Sequence, residues 1–599
     1  MTQDLPTLPI GTQDFEGLRL EKEVYVDKTM YLPMLRKAGR IVFCSRPRRF
    51  GKTLTVTTLD AFYSGRKDLF LGLAAEKYMD SPGFATRPVI HLDMNRVAGS
   101  GDIGLLTKRI QIMLESNAAR HDVKLEGVDC YSNFFSLMQN VSQPPTKKAV
   151  LLIDEYDAPV ISLVQRGELL RDDRLVQETR ETMRNLYSQI KSAEKSLELA
   201  FITAVTKFSR MGVFSTLNNL VDISLRPEFA AFMGLTQEEL ERYFSHHVRK
   251  TARERGVGES ELLGQIREYY HGFSFDGKTR LYNPFSTLSF FGEGEFDDFW
   301  MESGSNAIVR NFLKDKTLTV DQFQDIEVNR QFARSPGEIG ATPPHGFLYQ
   351  AGYLTLRAKG GALYGLDYPN LEVRSAISTL FLENLIPAWD DVGKDGRELG
   401  RCLAAGDVPG MVGVLRRLLA GIAHDDHADA DRPPRGGSLD RGIRAAAGPG
   451  LADETLRRLS AELARRIRRA KGESFYVSIL YAGLWMAGAQ VASERHGNLG
   501  RLDLEVRHGG LLYVIEAKMA ADARGGAKAA RAGMGQIRGR GYGQAEKDPI
   551  LVALAIGRKE RNVVACLFEK DGRLMAVDGQ GRPSLANMDI REKTPKPKS

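Results

Sequence analysis

The spacing of apolar and polar positions predicts an α/β chain with chemistry concentrated at strand ends. "GRIVFCSRPRRFGKTLTVTTLDAFYSG" opens with a short apolar strand, passes through a tight basic turn and ends in a helix. "KKAVLLIDEYDAP" has a polar entry, an apolar run suited to a strand buried on both faces, and then Asp154 and Glu155 at its carboxyl end. "ELAFITAVTKFSR" reads as another buried strand, ending in Thr203, Thr206, Lys207 and Ser209. Residues 240 to 420 carry a mainly helical pattern, with "EELERYFSHHVRKTARERG" as a charged amphipathic helix. Farther on, "ESFYVSILYAGLWMAGA" (473 to 489) predicts a buried helix with Glu473 at its start, and "QVASERH" a strand. "RLDLEVRHGGLLYVIEAKM" (501 to 519) reads as two strands around a Gly-Gly turn, "GAKAARAGMGQIRGRGY" as a helix carrying Gln536, and "PILVALAIG" as a strand. The expected order there is helix, three strands, helix, strand.

The Gly-Gly hairpin fixes a register. If Gly509 and Gly510 form a two-residue loop, His508 faces Leu511, and Asp503 stands directly across from Glu516. Alternation puts Lys518 on the face of Glu516, with Leu502, Leu504, Val506, Tyr513 and Ile515 on the other, so the hairpin is expected to be apolar on one side and charged on the other. Opposed residues have Cβ atoms roughly 4.5–5.5 Å apart, and like charges so placed repel unless compensated. A divalent cation such as Mg²⁺ is the natural compensator, and a lysine two residues along can position or help deprotonate an attacking water. The competing reading is a solvent-facing polar side on which Arg501, Arg507 and Lys518 neutralise the acids.

In the first strand-turn-helix the turn carries Gly51, Lys52 and Thr53. In a phosphate-binding loop the backbone N–H groups and helix N-terminus hold the phosphates, the lysine reaches the terminal ones and the hydroxyl joins Mg²⁺. Arg46 stands where that pattern has its first glycine. The acids of "LLIDEYDAP", about a hundred residues later, supply the second half: Asp154 for the Mg²⁺ shell and Glu155 to activate a hydrolytic water. Arg49, Phe50, Gly51, Lys52, Thr53, Asp154 and Thr206 are the expected nucleotide-binding set, with Thr53 and Asp154 as metal ligands. Thr203, Thr206, Lys207 and Ser209 stand where a γ-phosphate sensor would sit, with a strand-to-loop cap as the competing reading.

Composition narrows the picture little. A chain of 599 residues, 42% hydrophobic and 27% charged, is expected to hold several soluble domains. No apolar run reaches bilayer-spanning length and the N-terminus lacks a signal-peptide pattern, so a cytoplasmic protein without membrane partners is expected. Cys44, Cys130, Cys402 and Cys566 have no metal-ligand spacing and read as reduced buried thiols. A net charge of +7 suits a polyanionic partner but is spread thinly. "HDDHADADRPPRGGSLDRGIRAAAGPG" (424 to 450) reads as linker, so its His and Asp residues make a poor metal site. The following "ETLRRLSAELARRIRRAKGES" is a basic helix. His246 and His247 are adjacent, point to different helix faces and are expected at the surface. In "EYYHGFSFDGKTRLYNPFSTLSFFGEGEFDDFW" a packed helical lid competes with a base-stacking platform.

The C-terminal pattern resembles the PD-(D/E)xK nuclease superfamily, the fold of many restriction endonucleases, with Leu502 where the superfamily name has proline. The resemblance implies that Asp503 and Glu516 bind Mg²⁺, Lys518 assists the water, Glu473 supports the metal site and Gln536 stabilises it. "YVDKTMYL", "SRPRRFGKTL", "VLLIDEYDAPV", "FITAVTKFSRMGVFSTLNNL", "YNPFSTLSFF" and "YPNLEVRSAI" resemble the predicted AAA-ATPase-like family of bacteria, typically joined to such a nuclease domain. That family shares the arginine at the first loop glycine, implies ATP as the nucleotide, and puts Tyr25, Asp27 and Lys28 near the nucleotide-binding core. The expected organisation is a P-loop AAA-ATPase-like domain (1–240), a helical lid or middle region (241–420), a flexible linker (421–452) and a restriction-endonuclease-like α/β domain (453–599). The expected function is an ATPase coupled to a Mg²⁺-dependent nuclease cutting DNA, with defence against foreign DNA as one setting; RNA and homo-oligomerisation stay open. The alternative is a nucleotide-switched module that binds nucleic acid or protein without cutting.

Overall fold

The computed structural model describes residues 5–142, 147–165, 173–206, 217, 219–302, 309–310, 323–334, 344–361, 363–385, 392–421, 475–493, 503–540, 548–577 and 582–585. They form two compact units, Met1–Phe312 with Phe323–Val373, and Leu313–Gln322 with Arg374–Ser599.

The first unit is built on five parallel strands, β1 (Ile41–Ser45), β2 (Val89–Asp93), β3 (Ala149–Asp154), β4 (Leu197–Ala204) and β5 (Leu220–Asp222), in the order β2-β3-β4-β1-β5. The apolar run of β3 has the reason expected from its sequence: every residue is buried, because both sheet faces are covered. Leu151 and Ile153 face a core with helices α2 (Ile103–Arg120), α3 (Cys130–Val141) and α4 (Asp173–Ser192), while Val150 and Leu152 face one that includes α1 (Lys52–Tyr63). The period-2 alternation of a strand divides one apolar segment between two layers. β4 lies between β1 and β3, so the basic turn after β1 and the acids ending β3 belong to strands that are not neighbours.

Helices α5 (Gln237–Tyr243), α6 (Ser245–Arg255), α7 (Glu259–Tyr270) and α8 (Pro284–Glu293) follow, around a core that includes Leu240, Phe244, Ile266, Tyr270 and Phe290. The mainly helical pattern misses two pieces of sheet: the hairpin β6 (His271–Phe273) and β7 (Leu281–Tyr282), and the antiparallel set β8 (Ile326–Asn329), β9 (Thr355–Gly360) and β10 (Leu363–Asp367). Phe273, Tyr282, Phe290 and Trp300 are buried, so these aromatic side chains pack into the core and form no stacking platform. His247, expected at the surface, is buried against Phe244 and Phe291 with Nε2 3.0 Å from the Pro6 carbonyl oxygen; His246 meets Arg249 outside. Cys44, Cys130 and Cys566 are buried, Cys402 is half-buried, and all four are free thiols.

The second unit holds a seven-stranded sheet, β11 (Gln490–Ser493), β12 (Asp503–His508), β13 (Leu511–Ala520), β14 (Ile550–Gly557), β15 (Asn562–Lys570), β16 (Arg573–Val577) and β17 (Pro583–Leu585), paired in chain order. Within this sheet only β13 and β14 run parallel, joined across helix α11 (Ala523–Arg540); α9 (Val392–Ala405) and α10 (Val408–Ala420) precede the sheet. The predicted order of helix, three strands, helix, strand is observed from 475 to 557, with three further strands beyond it. Gly509 and Gly510, at φ 57° and 79°, form the two-residue turn, and the register pairs Asp503 with Glu516 and His508 with Leu511 as predicted. Leu504, Val506, Tyr513 and Ile515 are buried, and the Tyr513 hydroxyl donates to the Leu403 carbonyl of α9 at 2.5 Å.

The opposite side of β13 is no solvent face. Helix α11 (Ala523–Arg540) lies over it, with Ala530, Met534 and Ile537 packed in one cluster with Val514, Ala553 and Leu567. That packing overturns the solvent-facing reading for Glu516, which is fully buried, whereas on β12 Glu505 is exposed and paired with Arg507 at 2.7 Å as that reading expected. The linker segment 424–450, the basic helix after it, Glu473, Lys207 and Ser209 lie outside the described residues.

Candidate functional site

In the first unit the turn after β1 wraps the start of α1. Gly51 is the N-cap at φ 85°, a left-handed backbone that glycine adopts without strain, and a Cβ there would touch nothing. Arg49, at φ 66°, shares that region, and its guanidinium lies 4.1 Å from the Phe285 ring centroid. Phe50 is buried edge-on against Phe273 and Phe275, anchoring the loop through its ring while its backbone stays in the turn.

Arg46 explains how the loop does without its first glycine. Its side chain is 1% exposed and donates to the carbonyls of Ser45 (2.9 Å), Ser224 (2.9 Å) and Phe229 (3.1 Å), with its guanidinium 3.9 Å from the Phe275 centroid. A charge this buried is tolerated only because carbonyl dipoles and an aromatic face replace water. The arginine is a strut behind the loop, reaching residues that no local motif includes.

Lys52 is nearly buried, and its Nζ donates to the carbonyls of Arg46 (3.2 Å) and Pro47 (3.0 Å), with Glu155 Oε1 at 4.0 Å. The Thr53 hydroxyl donates to Asp154 Oδ2 at 2.6 Å, joining residues 101 apart. Thr203 donates its hydroxyl to the other oxygen of Asp154 and accepts the Glu155 N–H at 3.1 Å. Burial pushes the Asp154 carboxyl above the usual range, against the pull of those two hydroxyls and of Lys52. Glu155 has φ 49°, uncommon for a residue with a side chain, and lines the cavity beside the loop.

Thr206 is buried as well and meets a different acid. Its N–H and hydroxyl donate to Asp157 Oδ2 at 2.7 and 2.6 Å, and Val205 N–H reaches Asp157 Oδ1 at 3.3 Å. Burial raises the Asp157 carboxyl to about 6 despite the Thr206 bonds. Asp157 was not among the residues singled out from sequence; the third acid of "DEYDAP" was the available signal.

Beside the loop is a cavity of about 360 Å³. Lys52, Thr53 and Glu155 stand on its polar side, and Val24, Leu32, Phe232, Phe244, Phe285 and Leu288 supply apolar wall. The volume is in the range of small-molecule sites. Tyr25 and Lys28 also line it; Lys28 Nζ contacts both Glu239 oxygens at 2.6 Å and donates to the Ala231 carbonyl at 2.7 Å. Burial lowers the Lys28 pKa while Glu239 opposes that shift. Asp27 accepts from Thr29 and from Ala74 N–H, bracing the same segment. The apolar wall comes from segments scattered from Val24 to Leu288, which no local spacing could have united.

In the second unit Glu516 is fully buried, and neither of its carboxylate oxygens has a hydrogen-bond partner among the described residues. Lys518 Nζ forms an ion pair with Oε1, so the carboxylate is countered by charge without an aligned donor. The backbone of Asp503 lies opposite in the ladder. Gly533 of α11 sits over the pair: a Cβ there would stand 3.4 Å from Glu516 Cγ and 3.5 Å from Lys518 Cγ. Gln536 is half-buried one turn farther along the same helix. Among the described residues no group of three or more His, Cys, Asp or Glu side chains forms a ready metal site. No described helix is long and apolar enough to cross a membrane.

Across 577 residues, 94% of this chain and 99% of the other, the protein is 28% identical to an uncharacterized protein in the vnfD 5′ region of Azotobacter chroococcum mcd 1. Residues 9–214 match the family model described as predicted AAA-ATPase, and residues 471–565 match the PD-(D/E)XK nuclease superfamily, the two resemblances that the motifs carry.

Proposed function

We propose that the first unit binds and hydrolyses ATP with Mg²⁺ and that the second is a Mg²⁺-dependent nuclease acting on DNA. The observation that carries the first half is the Thr53–Asp154 hydrogen bond at 2.6 Å, which brings a loop and an acidic strand end together at the mouth of a cavity. In this reading a P-loop fold positions the triphosphate on the N–H groups around Gly51, Lys52 and Thr53 at the start of α1, where the helix dipole favours anions. Lys52 exchanges its contacts with the loop's own carbonyls for phosphate oxygens. The apolar wall takes the base, with α8 and its neighbours acting as a lid. Thr53 and Asp154 are hard oxygen donors already in contact and fit a Mg²⁺ site; Glu155 orients the hydrolytic water.

In the second unit the buried carboxylate of Glu516, paired with Lys518 but without a hydrogen bond among the described residues, and the opposed Asp503 fit a Mg²⁺ site better than they fit an apolar interior. The bound ion would stabilise charge on the phosphodiester. Lys518 holds the carboxylate and positions the attacking water, while Gln536 and Glu473 complete the surroundings. Nucleotide state gates the cutting, and the setting is defence against foreign DNA. A non-cutting, nucleotide-switched binding module is the second reading, favoured by the ion pair between Glu516 and Lys518.

The test is cleavage of supercoiled, linear and single-stranded DNA by the full chain with Mg²⁺ or Mn²⁺, with and without ATP, beside Asp503→Ala. Metal-dependent cleavage lost in the variant is the expected result. Intact DNA binding with no cleavage under any nucleotide condition selects the switched module instead.

A further inference from the structure

Helix α11 has an outer face that its own fold does not require. Its exposed positions are all basic or small: Arg524, Lys528, Arg531 and Arg538 stand among alanines and glycines. No acid occurs between Ala523 and Arg540. The long helix α4 is built the other way, interleaving signs as a solvated face usually does, with Arg174 2.8 Å from Glu178 and Arg184 3.8 Å from Glu181. Like charges three and four positions apart weaken a helix, and so does each glycine in its interior. Gly535 and Gly539 would meet nothing within 4 Å if they carried a Cβ, so packing among the described residues does not call for glycine there. Arg538 is partly engaged with Glu569 at 2.8 Å; the other three cations project along one side of the helix. At 1.5 Å rise per residue the row from 524 to 538 is about 21 Å long.

A second, independent feature lies beneath the same helix. Glu516 is fully buried, ion-paired with Lys518 but with no hydrogen bond to its carboxylate among the described residues, and α11 approaches it closely at Gly533.

Resting on the reading of that acid as part of a phosphodiesterase, we propose that the outer face of α11 is the docking surface for the phosphate backbone of double-stranded DNA. A straight, rigid row of cations suits a stiff polyanion carrying one charge per about 1.7 Å of its axis. The small residues between the cations let the backbone approach the helix closely.

The probe is a fluorescein-labelled 30-base-pair duplex titrated into the full chain in EDTA across a series of salt concentrations. Arg524→Gln/Lys528→Gln/Arg531→Gln, all exposed changes, is expected to weaken binding at least tenfold and to make the log–log salt slope shallower by about 2 to 3, at roughly 0.9 per phosphate contact. Gly535→Glu, which favours the helix and adds an acid, is expected to weaken binding with an unchanged melting temperature. Arg524→Lys/Arg531→Lys is expected to keep both affinity and slope. Wild-type affinity and slope in the triple variant overturn the proposal, as does a loss confined to single-stranded DNA or RNA. If the wild type cuts DNA and the triple variant cuts and binds equally well, the surface is wrong and the nuclease reading stands. If the wild type neither binds nor cuts nucleic acid, both fall.

Discussion

Replacing Asp157 with Asn exchanges a buried acid for a neutral amide of the same shape, and the structure sets the size of the effect. The carboxylate is fully buried and accepts hydrogen bonds from Val205 N–H, Thr206 N–H and the Thr206 hydroxyl. Desolvation outweighs those bonds and moves its midpoint from 3.8 to about 6. The folded chain therefore binds this proton more tightly than the unfolded chain, and the stability that the group supplies falls as pH rises from about 4 to about 6. At about 1.4 kcal/mol per pH unit the full loss is about 3 kcal/mol. Other buried acids titrate too, so the informative quantity is the difference between variant and wild type. Asn has no such proton; relative to wild type, Asp157→Asn is expected to gain about 3 kcal/mol between pH 4 and pH 7 and nothing further above that. Urea denaturation of the full chain across this range measures the difference, and hydrogen exchange in residues 197–206 assigns the transition to β4. A difference flat to within about 0.5 kcal/mol would refute the buried, bonded carboxylate described here.

Three further outcomes follow from the loop. Lys52→Ala is expected to abolish ATP binding in isothermal titration, since it removes the cation that stands between the loop carbonyls and Glu155; wild-type affinity in that variant removes the phosphate-loop assignment. Glu155→Gln is expected to keep ATP affinity within a few fold while slowing phosphate release about 100-fold or more in a turnover assay. Arg46→Gly restores the glycine that the loop pattern lacks, yet it should lower stability by about 3 kcal/mol without tightening ATP binding, because the carbonyls of Ser45, Ser224 and Phe229 each lose a charged donor. Melting and titration of the same sample check both halves of that statement.

The parts of the fold legible in the sequence are those with short-range causes. Gly509 and Gly510 pin the hairpin register, so opposing Asp503 and Glu516 needed no knowledge of the rest of the chain. The apolar run of β3 announced burial on both faces, and Gly51 announced the start of α1. The strut role of Arg46 was hidden because its partners, Ser224 and Phe229, come almost two hundred residues later. The burial of Glu516 was hidden for the same reason: α11 covers it from outside the hairpin, and a charged strand face looks solvated until its cover is seen. His247 went the same way, drawn inside by aromatic neighbours and the carbonyl of Pro6.

The two candidate sites treat a buried carboxylate differently, and that difference predicts where a metal ion matters more for stability. Asp154 has two hydroxyl donors, from Thr53 and Thr203, so both of its oxygens already have partners although burial still pushes the carboxyl above its usual range. Glu516 has a cation beside it but no hydrogen bond among the described residues, and a buried acceptor left so costs at least about 1–3 kcal/mol. On the proposed reading a divalent ion shared with Asp503 would offset that cost in the second unit, whereas in the first it would only replace bonds already made. Millimolar Mg²⁺ without nucleotide should therefore slow hydrogen exchange in residues 503–520 several-fold and leave residues 41–63 nearly unchanged. Asp503→Asn should remove the effect. Equal protection in both segments, or none in the hairpin, would mean that the ion pair with Lys518 already suffices for Glu516, and the acids would lose their claim to be a metal site.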